Sequence, residues 1–260
     1  SLSIDGLGGL GFRHATVLVL LLVGLALLTA YWLHALKVPK PLFSPALFRI
    51  QSFRVGILGN LFARIGSGAM PFLIPMLMQL HMGYSPAQAG MLMLPMALAS
   101  MGTKRVATGI IQRWGYRRVL TVNTTILGLQ IALFALMSPT QPLWLRIIQL
   151  ALFGAVNSMQ FTSMNTVTLK DMDAANASSG NSMLSMVQML AMSLGVTVAA
   201  ALVATFAGWF QPPSPAHSLM AFRAAFVSIG LITMCSAWIF WQLNPDTPDA
   251  APAKPTPGAT

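Results

Sequence analysis

The sequence contains no glutamate, and charged residues of any kind make up only 8% of its 260 residues. Because a soluble domain carries about a quarter charged residues, a water-soluble globular protein is excluded. Hydrophobic residues account for 55% of the chain, and they fall into runs of membrane-spanning length. In hydrocarbon a helix satisfies its own backbone hydrogen bonds. The composition therefore predicts an all-α, polytopic membrane helix bundle with the lipid bilayer as its surroundings.

Several chemical motifs are also missing. The single cysteine, Cys235, lies in an apolar run, so the chain has no intrachain disulfide, no CxxC pair and no Cys/His metal cluster. There is no nucleophile beside a base, no phosphate-binding glycine loop and no carboxylate pair. We therefore expect no enzyme activity, no catalytic residue, no cofactor and no metal site. The methionines at 183, 186, 189 and 192 are better explained by flexible packing than by Cu(I) binding.

Seven apolar runs are each near or above the roughly twenty residues that a transmembrane helix needs. The predicted spans cover about residues 15–36, 55–80, 87–103, 119–137, 143–167, 181–208 and 221–243. Between the first two lies a basic linker, residues 37–54, which contains a short amphipathic segment. The Pro/Ala-rich tail, residues 244–260, is predicted to be disordered. The sequence starts at Ser1 rather than Met, and we expect it to be part of a longer protein.

The net charge of +10 is concentrated between the spans. The stretch 104–118, KRVATGIIQRWGYRR, holds five of the fifteen Lys and Arg residues, and the linker 37–54 holds four. The connectors after the second, fourth and sixth spans hold none outside the helix ends. Because cytoplasmic loops retain Lys and Arg, both basic connectors, the connector after the fifth span and the C-terminus are predicted to be cytoplasmic, with residues 1–12 outside. The charge thus reflects topology, and no nucleic-acid partner is expected.

Arg64 is the one charged residue that the pattern places deep inside a predicted span. A charge near the bilayer centre costs several kcal/mol unless it faces a cavity or a partner, so a role in a substrate cavity or a gate is favoured. The other interpretation is a structural clamp on backbone carbonyls. No Asp or Glu lies in any predicted span. If transport is coupled to protons, the titrating carboxylate must come from another segment or another chain.

Polar residues also recur at helical spacing in the fifth and sixth predicted spans, which places each set on one helix face. The candidates are Asn157, Gln160 and Met164 in the fifth span, and Asn181, Ser185 and Gln188 in the sixth. Such faces must look toward protein or water rather than lipid. Two interpretations stay open, a substrate cavity and hydrogen bonding between helices, which is worth about 0.6 kcal/mol per contact.

The basic stretch resembles the cytoplasmic loop motif of the major facilitator superfamily, roughly G-x-L-a-D-r-x-G-r-k. The residues that match its second half are Gln112, Arg113, Gly115, Arg117 and Arg118. Gln112 stands where the acidic residue is usual, and Thr108 stands where the first glycine is usual. Such departures are expected in the degenerate copy of the motif that the second half of these proteins carries.

Further segments extend the resemblance from about residue 42 to residue 200. They include LFSPALFRIQSF, ARIGSGAMPFLIP, GMLMLPMALASMGTKR, NSMQFTSMNTVTLKDM and ASSGNSMLSMVQMLAMSLGVT. Together these segments resemble the C-terminal half of the fourteen-helix drug:proton antiporters of that superfamily. The resemblance implies that residues 1–36 hold an extracytoplasmic segment and one extra central helix. Residues 55–243 would then form the six-helix C-terminal bundle of a major facilitator fold.

The resemblance further implies proton-driven efflux of small molecules or drugs by alternating access, in a bacterial-type inner membrane. The partners would be the small-molecule substrate, protons and an N-terminal six-helix bundle that this sequence lacks. The alternative is a seven-helix membrane scaffold or receptor-like protein without transport activity. The order of the quoted segments favours the transporter.

Overall fold

The structure, a computed structural model, describes residues 45–210 and 214–243 together with the isolated helical residues Val23, Ala26 and Thr29. The rest of the first predicted span, the start of the basic linker and the C-terminal tail lie outside the described residues. The chain divides into two compact units, Ser1–Leu47 and Phe48–Thr260, and nearly all described residues belong to the second.

The described residues form helices and contain no β-strand, which confirms the predicted all-α class. Six α-helices follow one another: α1 (Gln51–Met82), α2 (Pro86–Leu92), α3 (Leu94–Leu133), α4 (Leu143–Leu169), α5 (Ala174–Trp209) and α6 (Pro215–Trp241). Short 3₁₀ helices cover Pro45–Arg49, before α1, and Phe134–Leu136, after α3.

Local sequence explains the sharp turn between α1 and α2. Gly83, which follows the last residue of α1, has a φ of 70°, a left-handed conformation that glycine adopts without steric cost. Ser85 then caps α2: its hydroxyl accepts from the backbone N–H of Gln88, and the Gln88 side chain accepts from the backbone N–H of Ser85. Pro86 occupies the first helical position, where its missing N–H costs nothing.

Helix α3 consists of two antiparallel segments, α3a (residues 94–114) and α3b (residues 116–133), which meet at Gly115. The φ and ψ of Gly115, 74° and 157°, are not helical. Helices α3a and α4 run parallel. The carbonyl oxygen of Ser100 accepts a hydrogen bond from Ser158, and Met96, four residues earlier on α3a, touches Gly154, four residues earlier on α4. Helix α3b, in contrast, runs antiparallel to α4.

Two contacts show this opposite direction of α3b. Thr124 accepts a hydrogen bond from Gln160, whereas Phe134, just after α3b, stacks edge-on against Phe153. The third and fourth predicted spans are therefore separate helices, as the sequence indicated. The connection between them is shorter than the predicted basic loop, because the stretch 104–118 is helical except at Gly115. A residue that tolerates positive φ is enough to reverse the chain.

Three stretches of the described helices are long and apolar enough to cross a membrane: Gln51–Met82, Asn176–Trp209 and Pro215–Trp241. A fourth apolar stretch, Val106–Leu136, contains the reversal at Gly115, so its membrane-crossing part is α3b. Helix α4, which corresponds to the fifth predicted span, has 27 residues and is therefore about 40 Å long. It is long enough to span but more polar than those four. Its polar residues therefore need protein or water to face.

The bundle core lies where α1, α3b, α4 and α6 meet. Its centre contains Leu73, Leu77, Phe134, Phe153 and Phe226, all buried. Backbones approach closely at glycines, as is common between membrane helices. Where α3b crosses α6, a Cβ built on Gly128 would lie 2.6 Å from the carbonyl oxygen of Gly230. The same holds for Gly230 and the carbonyl oxygen of Gly128.

Helices α1 and α5 make a similar close crossing. A Cβ on Gly195 would lie 2.5 Å from the carbonyl oxygen of Ile65, and one on Gly68 would lie 2.9 Å from the Cα of Met192. This crossing holds the middle of α5 against the segment of α1 that contains Arg64. It therefore fixes the distance between these two helices at the level of the candidate site.

Candidate functional site

A small cleft of about 110 Å³ opens between α1, α4 and α5, beside the crossing at Gly68. Helix α1 provides one wall, α4 the second and α5 the third. The lining residues are Arg64, Ser67, Gly68, Pro71, Asn157, Phe161, Met164 and Met192. Gly68 has no side chain and Met192 is flexible, so the wall of the cleft formed by these two residues can change its shape.

Arg64 is the only charged residue of the cleft, and 93% of its surface is buried, since its exposed fraction is 7%. Its Nε donates a hydrogen bond of 3.1 Å to Oδ1 of Asn60, one helical turn earlier. Its guanidinium carbon lies 4.2 Å from the centre of the Phe161 ring. Cation–π contacts of this kind are worth about 0.5–2 kcal/mol. Arg64 is thus held on two sides by neutral groups.

Asn60 is itself fixed by two bonds from its Nδ2, one of 3.0 Å to the carbonyl oxygen of Gly56 and one of 3.4 Å to Oγ1 of Thr168. Thr168 in turn donates to the carbonyl oxygen of Met164, on the preceding turn of α4. Asn60 and Thr168 are both fully buried. This network couples the orientation of Arg64 to the packing of α1 against α4.

No carboxylate within the described ranges compensates the charge of Arg64. The carboxylates in those ranges belong to Asp171 and Asp173, both exposed in the connector between α4 and α5. The buried Nη2 of Arg64 has no hydrogen-bond partner in the described part of the chain. A buried charge with a free donor is costly unless a ligand or another protein segment completes it.

Arg146 at the start of α4 is a second buried arginine, which the sequence pattern did not single out. Its Nη1 donates to the hydroxyl of Tyr84 at 2.7 Å. Its Nη2 donates to the backbone oxygens of Ser138, Pro139 and Gln141, at 3.1, 2.8 and 2.6 Å. Arg146 therefore acts as a clamp on the α3–α4 connector. Arg146 thus has the clamp role that was one interpretation of Arg64. Arg64 itself makes no described hydrogen bond to a backbone carbonyl.

The candidates in α4 divide between two faces. Asn157 and Met164 line the cleft with Arg64. Gln160 points away from it and is 1% exposed. It accepts from Nδ2 of Asn123 at 2.7 Å and donates to Oγ1 of Thr124 at 2.6 Å. Gln160 therefore makes hydrogen bonds between helices, since it joins α4 to α3b. Asn157 and Met164 line the cleft, as expected for cavity residues.

The candidates in α5 do not line the cleft. Asn181 and Ser185 are exposed, and the Ser185 hydroxyl donates to the carbonyl oxygen of Asn181. Gln188 lies one turn before the cleft residue Met192, and its Nε2 donates to Oδ1 of Asn165 at 2.8 Å. That bond joins α5 to α4 beside the cleft.

The residues of the loop motif form the junction between α3a and α3b. Gln112, Arg113 and Arg118 are exposed. The guanidinium carbon of Arg117 lies 4.5 Å from the ring centre of Trp241, the last residue of α6. Gly115 supplies the turn itself. The motif thus ties the α3a–α3b junction to the end of α6 through Arg117, and no hydrogen bond of the exposed Gln112 side chain is described.

Sequence reasoning missed several residues of the site, above all Asn60, Ser67 and Pro71. Asn60 precedes Arg64 by four residues, so helical spacing would have placed the two side chains together. For Ser67 and Pro71 the signal was weaker. Their position on the cleft side of α1 depends on how that helix is rotated in the bundle.

Comparison with known proteins assigns the family. A sequence model described as the Major Facilitator Superfamily matches residues 6–196. Proteins named "Putative multidrug resistance protein MdtD" are similar over 95% of this chain. The identity is 43% for the one from Pectobacterium atrosepticum, 42% for Serratia proteamaculans and 41% for Escherichia coli. The chain spans about half the length of these curated relatives, 52–53%.

The match covers almost three quarters of the chain, and the helical bundle agrees with it. This family comprises transporters rather than enzymes, which confirms the expectation drawn from the missing catalytic motifs. The chain belongs to the Major Facilitator Superfamily.

Proposed function

We propose that the chain is the C-terminal bundle of a proton-driven exporter of small molecules or drugs. The single observation that carries the proposal is the cleft around Arg64, where a buried charge lies at mid-helix in a membrane-length helix. A charge inside a membrane helix is costly, and such charges mark substrate or ion pathways. The MdtD relatives, whose name refers to multidrug resistance, support export as the direction.

In this proposal the cleft is one half of a central site, and a second six-helix bundle supplies the other half. The two bundles rock about the site in alternating access. The bundle lies in a bacterial inner membrane with its C-terminus and the α3a–α3b junction in the cytoplasm, in keeping with the clustered Lys and Arg. A scaffold without transport activity gives no reason for a buried, uncompensated arginine beside an open cleft.

The test uses the whole gene that encodes this chain, expressed in bacteria that lack their own dye-efflux systems. Accumulation of ethidium, a cation, and of fluorescein, an anion, is followed with and without a protonophore. We expect expression to lower the accumulation of at least one dye and the protonophore to abolish the difference. Accumulation that is independent of the gene for both dyes and for a broader drug panel would contradict export.

Arg64→Ala should return accumulation to the level without the gene, at equal protein content in the membrane, because the cleft loses its charge. Arg54→Ala is the matched control. Arg54 lies ten residues earlier on the same helix and is exposed, so its loss leaves the cleft unchanged. Normal efflux by the Arg64 variant would remove this residue from the mechanism.

A further inference from the structure

We propose that the cleft is a carboxylate-binding site in which Arg64 binds the anion and Asn60 and Thr168 act as positioning residues. The inference rests on the proposed function only for the direction in which a ligand moves, because binding itself is a property of the cleft. The geometry that points to it is a guanidinium that is 93% buried (7% exposed) in a residue that lines the cleft, with no described hydrogen-bond partner for its buried Nη2.

The groups that contact Arg64 are neutral. Its hydrogen-bond acceptor is an amide oxygen, that of Asn60, rather than a carboxylate. Its other neighbour, Phe161, offers the face of a ring. Neither group cancels the positive charge. The charge therefore remains available to an anion that enters the cleft, and the low-dielectric surroundings strengthen that attraction.

The guanidinium of Arg64 is held in one orientation. Asn60 cannot rotate freely, because its Nδ2 is bonded to Gly56 and to Thr168. The Nε of Arg64 is thereby fixed, and with it the plane of the guanidinium, whose buried Nη2 makes no described hydrogen bond. A guanidinium held in one plane binds a planar carboxylate more favourably than a mobile cation does.

The cleft matches a small carboxylate in charge and size. One positive charge and one monovalent carboxylate give a neutral pair, which a membrane interior tolerates better than a net charge. Asn157 and Ser67, which also line the cleft, carry donors for the remaining oxygen lone pairs. A volume of about 110 Å³ suits a small carboxylate with an apolar portion against Phe161 and Met164.

The carboxylate has two possible sources, a transported ligand and an acidic side chain of a second bundle. Titration calorimetry of the purified 260-residue chain in detergent micelles, with benzoate and its neutral analogue benzamide, tests the shared chemistry. We expect benzoate to bind at least about tenfold more tightly than benzamide, in line with the strength of hydrogen bonds to charged groups. Equal affinities, or no binding of benzoate, would overturn the proposal.

Variants assign the preference to the site. Arg64→Gln should abolish the tenfold preference, and Arg54→Gln, which removes an exposed charge from the same helix, should retain it. Asn60→Asp should also abolish the preference, although Arg64 is present, because the new carboxylate occupies the guanidinium. If the preference survives in Asn60→Asp and in Arg64→Gln, the anion binds elsewhere and the assignment is wrong.

The same titration of the whole gene product distinguishes the sources. Preference for benzoate in that protein indicates that the ligand supplies the carboxylate. Preference confined to the 260-residue chain indicates that another segment of the protein already occupies Arg64. Both outcomes support a carboxylate site, and neither depends on whether dye export is observed.

Discussion

The same change, Arg→Gln, should destabilise the bundle at Arg146, whereas at Arg64 it should leave the stability nearly unchanged or raise it. Arg146 makes four described hydrogen bonds, three of them to backbone oxygens of the α3–α4 connector. Each of these bonds is worth roughly 0.6–1.5 kcal/mol. Since water can replace some of them at the connector oxygens, Arg146→Gln should lower the free energy of unfolding by about 2–4 kcal/mol.

Arg64→Gln removes one described hydrogen bond and one cation–π contact, worth about 1 kcal/mol each. It also removes a buried charge that no described carboxylate compensates, which is favourable by a similar or larger amount. The net change in the free energy of unfolding should therefore lie within about 1 kcal/mol of zero or favour the folded state. Sites that are kept for function commonly show such a trade-off between stability and activity.

Unfolding of the purified chain in mixed micelles of increasing SDS content, followed by circular dichroism, measures both values. Arg54→Gln serves as the control for the loss of one positive charge from an exposed position. If Arg64→Gln destabilises the chain as much as Arg146→Gln does, Arg64 is a structural clamp. That result would refute a functional role for the Arg64 charge.

Two further predictions concern glycines of α3. Gly128→Ala should destabilise the bundle by about 1–3 kcal/mol, because the new methyl group would meet the backbone of α6 at Gly230. Gly115→Ala should cost about 1–3 kcal/mol as well, since its φ of 74° disfavours any side chain. Gly109→Ala is the control for both, as its Cβ would meet open space and alanine favours helix. If SDS unfolding shows that Gly109→Ala lowers the free energy of unfolding as much as the other two variants do, both explanations are wrong.

The sequence was sufficient for those parts of the fold that depend on local chemistry. Apolar runs predicted the helices, and the lack of charge predicted the class. Ser85 with Pro86 and the glycine at 83 explain one turn. The α3a–α3b junction was expected to be a loop because it is basic. The structure has helix there, since Arg and Lys are good helix formers and a single glycine suffices for the reversal.

The candidate site was only partly predictable. Composition singled out Arg64, because a lone charge in a span is conspicuous. Helical spacing placed Asn157 and Gln160, three residues apart, on the same face of α4. In the structure Asn157 lines the cleft, whereas Gln160 faces α3b. That distinction depends on the rotation of α4 against its neighbours. Tertiary packing sets this rotation, which a single sequence does not specify.

The one-residue reversal at Gly115 has a consequence for biosynthesis. With a single residue between them, we expect α3a and α3b to enter the bilayer together as a helical hairpin rather than one after the other. In that hairpin the apolar segment α3b, which belongs to the membrane-length stretch Val106–Leu136, carries α3a with it. The cluster of five Lys and Arg around the tip keeps that end on its original side of the membrane. Added charge on α3b would therefore impair insertion of α3a as well.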